Sequence, residues 1–249
     1  MSFENLHQLE TMILLSRSSA KIDKSNKFDE KYLTKILYLA PAKLSGYQMC
    51  PAASEGCKAA CLNTAGMGVY SSVQEARKKR TILLMENRRA FLEQIFFEIS
   101  NAEKLAKSKG KTLVARLNGT SDFSWETTTN IIQSFPNVIF YDYTKVFSRM
   151  VKFLTGNMPA NYHLTFSLSE NNLEKCEKVL AMGGNIAAVF RRFDMSVPKT
   201  LPNAFLGYRV LDGDSHDLRF TEGTQGVIVG LWAKGKAKKD DKEFCIWVC

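Results

Sequence analysis

HLTFSLSENNLEKCEKVLAMGGNIAAVFRR (163–192) is the stretch that decides how this chain folds. Its first part, HLTFSLSE (163–170), is β-branched and aromatic, has the length of a buried strand, and turns polar only at its C-terminal end. Asn171–Met182 follows as a helix, with Cys176 on the same face as Leu173 and Leu180 and the Gly183-Gly184 pair as its stop. NIAAVFRR (185–192) is then a second strand of the first kind. Strand, helix and strand in so short a span make a βαβ unit, which requires two parallel neighbours in one sheet.

The same alternation runs outward in both directions. ILYLAPAK (36–43), TLVARLNG (112–119), VIFYDYTK (138–145), AFLGYRVLD (204–212) and GVIVGLWAKG (226–235) each read as a buried strand with a polar C-terminal end. A long helix is expected over about 71–108, carrying Ile82, Leu83, Phe91, Leu92, Ile95, Phe96 and Ile99, and a short one over Ser124–Gln133. No Gly-x-Gly-x-x-Gly follows any strand, which disfavours an open dinucleotide-binding sheet. The expected fold is therefore α/β, a TIM-like full or partial (β/α) barrel. No repeat or linker divides the chain, so residues 1–249 read as one barrel-like domain, with 1–34 a helical or extended N-terminal extension.

Of the 249 residues, 45% are hydrophobic, enough for one sizeable core. No apolar run is long enough to span a bilayer, and MSFENLHQLETMILLSRSS (1–19) lacks a basic leader and a small-residue cleavage site. The expected location is a reducing cytoplasm, that of the host if the origin is viral, where thiols stay free or bind metal.

Three cysteines lie in GYQMCPAASEGCKAACLNTAG (46–66), Cys50, Cys57 and Cys61, spaced C-x6-C-x3-C after the first expected strand. Thiolates concentrated in this way select zinc, copper(I) or iron–sulfur clusters. Zinc usually shows paired C-x2-C motifs or a Cys/His mixture, and His7, His163 and His216 are isolated in sequence. The spacing favours a [4Fe-4S] cluster, with one thiolate on each of three irons; zinc and redox-active or simply buried thiols are the alternatives. Cys245 or Cys249, in FCIWVC (244–249), is the candidate fourth ligand. If one of them closes the site, the cluster is structural or transfers electrons; an open iron binds a substrate or cofactor. Cys176 reads as a core cysteine.

The C-terminal ends of parallel strands form the functional face of a barrel. Lys43, Arg116, Asn118, Ser121, Asp122, Asp142, Thr144, Lys145, Ser167, Ser169, Glu170, Arg191, Asp212, Asp214 and Lys234 fall there, as candidates for gripping an anionic group or handling a proton. Tyr141 and Tyr143 compete with Asp142 for the inward position, because strand parity is open. Asp-Gly-Asp at 212–214, with His216 and Asp217 beyond it, reads as a turn in preference to a hard-metal loop.

The formal charge is +9, from 34 Lys and Arg against 25 Asp and Glu. That excess, with Arg77, Lys78, Lys79, Arg80, Arg88 and Arg89 on one helical stretch, gives a second expectation of nucleic-acid binding, the cluster or zinc being structural. The competing expectation is a solvated face, since Glu75, Glu86 and Glu93 are interspersed.

A cysteine cluster after the first strand of a partial barrel resembles the radical S-adenosylmethionine enzymes, although their usual C-x3-C-x2-C differs from the spacing here. RLNGTSDFSWE (116–126) sits where that superfamily binds the methionine amine, with Gly119, Thr120 and Ser121 offering backbone and hydroxyl groups. That resemblance implies S-adenosylmethionine as a cofactor. A closer resemblance is to uncharacterised gene-product-88-like proteins of phages and plasmids. It is carried by LAPAKLSGYQMCPAASEGCKAACLNTAG, RLNGTSDFSWE, FYDYTK, LTFSLSENN, LDGDSHDLRF and VGLWAKGKA, over about residues 37–237. It implies a viral or mobile-element origin and carries no reaction.

Overall fold

The computed structural model describes residues 12–194, 196 and 198–248. In chain order the strands are β1 (Tyr32–Ile36), β2 (Thr112–Arg116), β3 (Ile139–Thr144), β4 (Tyr162–Ser167), β5 (Ile186–Arg192), β6 (Ala204–Phe205), β7 (Tyr208–Asp212), β8 (Ile228–Trp232) and β9 (Ile246–Val248). The helices are α1 (Ala20–Phe28), α2 (Glu55–Ala59), α3 (Ser71–Glu86), α4 (Arg88–Ser108), α5 (Trp125–Thr128), α6 (Ile131–Ser134), α7 (Phe147–Leu154) and α8 (Leu173–Ala181). The βαβ unit at 163–192 forms as read, β4–α8–β5, with Gly183 at φ +81° ending the helix.

The strands pair in the order β1-β2-β3-β4-β5-β8-β7-β6, and every pair is parallel except the β6–β7 hairpin. β1 and β6 end this order unpaired with each other, so the sheet is open, and closure into a TIM-like barrel does not occur. The cause lies in the second half of the chain. Among the described residues no α-helix follows α8, so the later strands lack the crossover helices that carry a barrel round. AFLGYRVLD (204–212), expected as one strand, is a hairpin instead. Leu206 and Gly207 both take positive φ (52° and 78°), as a two-residue turn with primed geometry requires.

Alternation sorts the two faces of the sheet. Leu113, Ala115, Phe140, Phe166, Ile186, Ala188 and Phe190 join the main core with Phe91, Ile95 and Ile99 of α4, Met150 of α7, and Val179 and Leu180 of α8. Val114 and Tyr141 face the other way, against Leu218 and Phe220. The helix expected over 71–108 breaks at Asn87, which leaves helical geometry and accepts the Ala90 N–H at 3.3 Å to cap α4. Ser124–Gln133 likewise forms two short turns, because Thr128 and Thr129 bond back to the carbonyls of Ser124 and Trp125. The first strand lies earlier than expected, leaving most of 36–43 as connection into the cysteine loop.

β9 pairs with Phe190–Arg192 of β5. The Ala187 carbonyl accepts from Leu168 beyond β4, and the Phe193 N–H donates to Val248. Residues of like parity bond to the same side, so β9 lies beside β5 beyond the end of β4. This brings the C-terminal segment over the cysteine loop.

Candidate metal centre and ligand cavity

A cavity of about 640 Å³ opens at the C-terminal ends of the strands, on the sheet face that α4, α7 and α8 leave uncovered. Its volume lies in the range of small-molecule sites. Arg116, Tyr143, Ser167, Ala187, Val189 and Leu231 supply its floor, and Cys50, Cys57 and Cys61 all line it.

Each cysteine is positioned by backbone that other elements hold. Ala42, at φ +47°, donates its N–H to Cys50 Sγ at 3.3 Å, and its carbonyl accepts from Met49. The Met49 carbonyl accepts the Asp122 N–H at 2.8 Å, tying this turn to the loop after β2. Cys57 sits in α2, where Ser54 Oγ accepts its N–H at 3.1 Å. Glu170, at the end of the β4 connection, accepts from the Ser54 hydroxyl and the Gly56 N–H, both at 2.7 Å. Cys61 Sγ accepts the Asn63 N–H at 3.5 Å, and the buried Arg77 donates to the Asn63 side-chain carbonyl. Gly235 and Lys236 approach the same flank, with the Lys236 N–H 3.3 Å from Thr64 Oγ1.

Burial pushes the Cys50 thiol up to about 12, against the Ala42 N–H that favours its thiolate. Burial raises Cys61 too, against the Asn63 N–H. Burial thus holds two thiols in the protonated form while a backbone N–H points at each sulfur. Among the described residues no group of three His, Cys, Asp or Glu side chains is placed to hold a metal ion. Cys245 is buried, shares a small apolar cluster with Cys57, and turns its thiol to the Ala237 carbonyl at 3.5 Å. Cys249 lies outside the described residues. Cys176 is fully buried in the main core.

Of the strand-end candidates, Lys43, Arg116, Asn118, Ser121, Asp122, Thr144, Lys145, Ser167, Asp214 and Lys234 line the cavity, as does Gly119, whereas Asp142, Ser169, Glu170, Arg191 and Asp212 do not. Asp142 lies on the helix-covered face. It accepts from the Asn118 backbone and side-chain nitrogens at 2.7 and 3.1 Å and from Tyr162 at 2.9 Å. Burial pushes its carboxyl up to about 7, against these donors and the charges of Arg116 and Arg149. Asn118 also accepts from Ser121 and Phe123, folding NGTSD into a fixed turn. Asp122 binds Arg149 at 2.6 Å and the Lys145 N–H at 2.8 Å. Ser169 helps close the turn into α8 through Asn171 and Asn172. Arg191 donates to the Asp240 carbonyl at 2.6 Å and lies 3.4 Å over the Trp247 ring, holding the C-terminal segment down.

The inward residues of β3 are Tyr141 and Tyr143, both hydrogen-bonded to Asp217. Asp217 also binds Arg116 at 2.7 Å and Lys21 at 3.2 Å. The segment around 212–214 is a turn, with the Asp214 N–H on Asp212 Oδ1 at 2.9 Å. The sequence reading noted Asp217 only as a residue beyond that turn, not as the partner of Arg116 and Lys21. It passed over Lys21 altogether, because a lysine in an N-terminal stretch carries no signal of burial.

The basic stretch is divided. Arg77 is buried, Arg80 donates to the Ile13 carbonyl, Lys78 pairs with Glu75 and Arg89 with Glu93, and Lys79 and Arg88 are exposed. No helix among the described residues is long and apolar enough to cross a membrane.

No curated protein and no solved structure matches this sequence, and the radical S-adenosylmethionine resemblance finds no support there. Residues 13–247 do match a family model, described as Gene product 88, and the chain belongs to that family.

Proposed function

We propose that this phage-type protein carries an iron–sulfur cluster on Cys50, Cys57 and Cys61, one coordination position of which faces the cavity. The observation that carries the reading is the pair of backbone N–H groups, from Ala42 and Asn63, aimed at two sulfurs of a loop fixed from several sides. Hydrogen bonds to sulfur are the means by which proteins tune bound clusters. A single zinc ion draws its thiolates to about 2.3 Å from one centre. A cluster gives each thiolate its own iron, so its three ligands need not converge on one centre.

When bound, the cluster supplies one-electron chemistry and a Lewis-acidic iron. The protein's part is to hold the three ligands, exclude bulk water through the surrounding apolar wall and orient a ligand above the sheet. In this reading the open sheet serves as a partial barrel, helices outside and cavity within. Cys245, whose thiol turns to the Ala237 carbonyl, is not the fourth ligand in this reading; Cys249 lies outside the described residues. S-adenosylmethionine is the first ligand to test at the fourth position.

The test is iron and acid-labile sulfide content, with the visible spectrum, of protein purified and reconstituted without oxygen. About four of each per chain are expected, with loss in Cys57→Ala and retention in Cys245→Ala. Stoichiometric zinc without iron or sulfide overturns the reading. With an intact, reducible cluster, absence of reductive S-adenosylmethionine cleavage removes that cofactor and leaves the cluster standing.

A further inference from the structure

From the wall of the cavity formed by α1, β2 and the 213–218 segment, we infer a second site. It is an oxyanion site built on Lys21 and Arg116, taking the phosphate or carboxylate group of a small molecule. It does not depend on the cysteines.

The charge balance of the cavity is the starting point. Among the described residues, six lysines and Arg116 line it against Asp122, Asp214 and Asp217, with no glutamate. The three carboxylates are already engaged: Asp122 with Arg149, Asp214 with Lys234, and Asp217 with Arg116 and Lys21. A largely apolar space that opens at the strand ends is left with surplus positive charge, an arrangement that favours an anionic guest.

Lys21 and Arg116 concentrate this surplus. They share one carboxylate, Asp217, and one ring, Tyr143, with the Arg116 guanidinium 4.6 Å and the Lys21 ammonium 5.9 Å from its centroid. Two cations thus share a single hydrogen-bonded carboxylate at that point. The Arg116 side chain is 5% exposed; among the described residues it donates from Nη1 to Asp217, and its buried Nε has no acceptor. A buried guanidinium with unused donors is a costly feature unless an oxygen-bearing ligand completes it, and its planar fork matches phosphate and carboxylate. Lys21 keeps 33% of its side chain exposed, so its ammonium stays accessible beside the fork.

The groups facing Lys21 are Arg116 from β2, Asp217 from the 213–218 segment, Tyr143 from β3 and Lys234 beyond β8. Burial and Arg116 push its ammonium down to about 8, and an arriving anion draws it back up. Binding should therefore weaken as pH rises through 8. His216 on the same wall is held neutral: burial lowers it to about 4, and its Nδ1 accepts the Leu218 N–H.

The experiment is titration calorimetry on the full chain, with and without cluster reconstitution, using inorganic phosphate, pyrophosphate and L-methionine as probes. The expected result is saturable binding of at least one probe in both preparations. Phosphate or pyrophosphate alone assigns the site to a phosphate ester, and L-methionine alone to a carboxylate. Lys21→Met should weaken binding about tenfold or more, the loss of one charged hydrogen bond, and Arg116→Met should abolish it. If Arg116→Met does not fold, Lys21→Met carries the test, because Lys21 is partly exposed. Absence of binding by all three probes at millimolar concentration, or unchanged affinity in folded Lys21→Met, overturns the site. Iron content is measured separately, so neither result bears on the cluster.

Discussion

Oε1 of Glu170 lies 2.7 Å from the backbone nitrogen of Gly56, and a Cβ placed on Gly56 would meet Oε2 of the same carboxylate at 2.7 Å. The end of the β4 connection thus reaches into the cysteine loop and fits only where the loop has no side chain. Through Ser54, which accepts the Cys57 N–H, the contact fixes one of the three thiols.

Glu170→Ala should lower stability by about 1–2 kcal/mol, toward the low end for charged hydrogen bonds because Glu170 is exposed. It should also reduce iron incorporation. Gly56→Ala should do the same by pushing the flexible carboxylate aside. Because both act through one contact, the double variant should cost little more than either single variant. Thermal unfolding of all three proteins checks this, and additive losses would mean that the two residues act separately.

Gly235 closes the other side of the loop. Its φ is +55°, and an added Cβ would stand 2.5 Å from the Thr64 carbonyl oxygen, which is backbone and cannot turn away. Gly46 has φ +91° with nothing near its missing Cβ. Gly46→Ala should therefore cost only the left-handed penalty, about 1 kcal/mol. Gly235→Ala should cost that and displace the 235–239 turn from beside Cys61. Denaturant unfolding of the two variants, with iron content, separates backbone strain from loss of the clasp; equal losses would show that the clasp adds nothing.

These contacts mark what the sequence could and could not disclose. The strand runs were visible because buried parallel strands are apolar along their whole length, as VIFYDYTK (138–145) and NIAAVFRR (185–192) show. The cysteine loop was visible because three thiols in so short a span have few structural uses. A closed barrel, one of the two forms expected, looked possible because AFLGYRVLD (204–212) reads as one strand. Its turn rests on Leu206 at positive φ, which leucine does not announce. Asp142 looked like a functional acid at a strand end, yet alternation turns it onto the helix side to receive Asn118 and Tyr162. The Lys21–Asp217 pairing spans most of the chain, and no local pattern encodes it.

Arg77 divides the basic stretch in function as well as in space. It is 6% exposed and supports Asn63 beside Cys61, whereas Lys79 and Arg88 reach solvent. Arg77→Met should destabilise the protein by about 2–3 kcal/mol and lower iron loading. Lys79→Gln should stay within about 0.5 kcal/mol of the parent. If the surface binds nucleic acid, Lys79→Gln and Arg88→Gln should each reduce the slope of log affinity against log salt by roughly 0.7–0.9, and Arg77→Met should leave it unchanged. Fluorescence anisotropy with single- and double-stranded DNA across a salt series reads this; a lowered slope in folded Arg77→Met would return Arg77 to the binding face.

Asp217 is the point at which pH should enter. Burial alone would raise its carboxyl, but Arg116, Lys21 and Arg219 outweigh burial and hold it well below the usual carboxylate range. A group whose folded-state value is depressed contributes stability above its unfolded value, near 3.9, and loses it as pH falls through the folded value. The parent should therefore show a falling Tm below about pH 4, with an Asp217 contribution complete at pH 7. Asp217→Asn should remove that part of the acid limb. At pH 7 it should cost about 3–5 kcal/mol, since the buried Arg116 then loses the carboxylate it is hydrogen-bonded to. The second change, Arg116→Met in the Asp217→Asn background, removes that buried charge and should recover part of the loss. Thermal unfolding from pH 2.5 to 8 distinguishes the cases: an Asp217→Asn protein as stable as the parent at pH 7 would show that the pair is not what holds the cavity wall together.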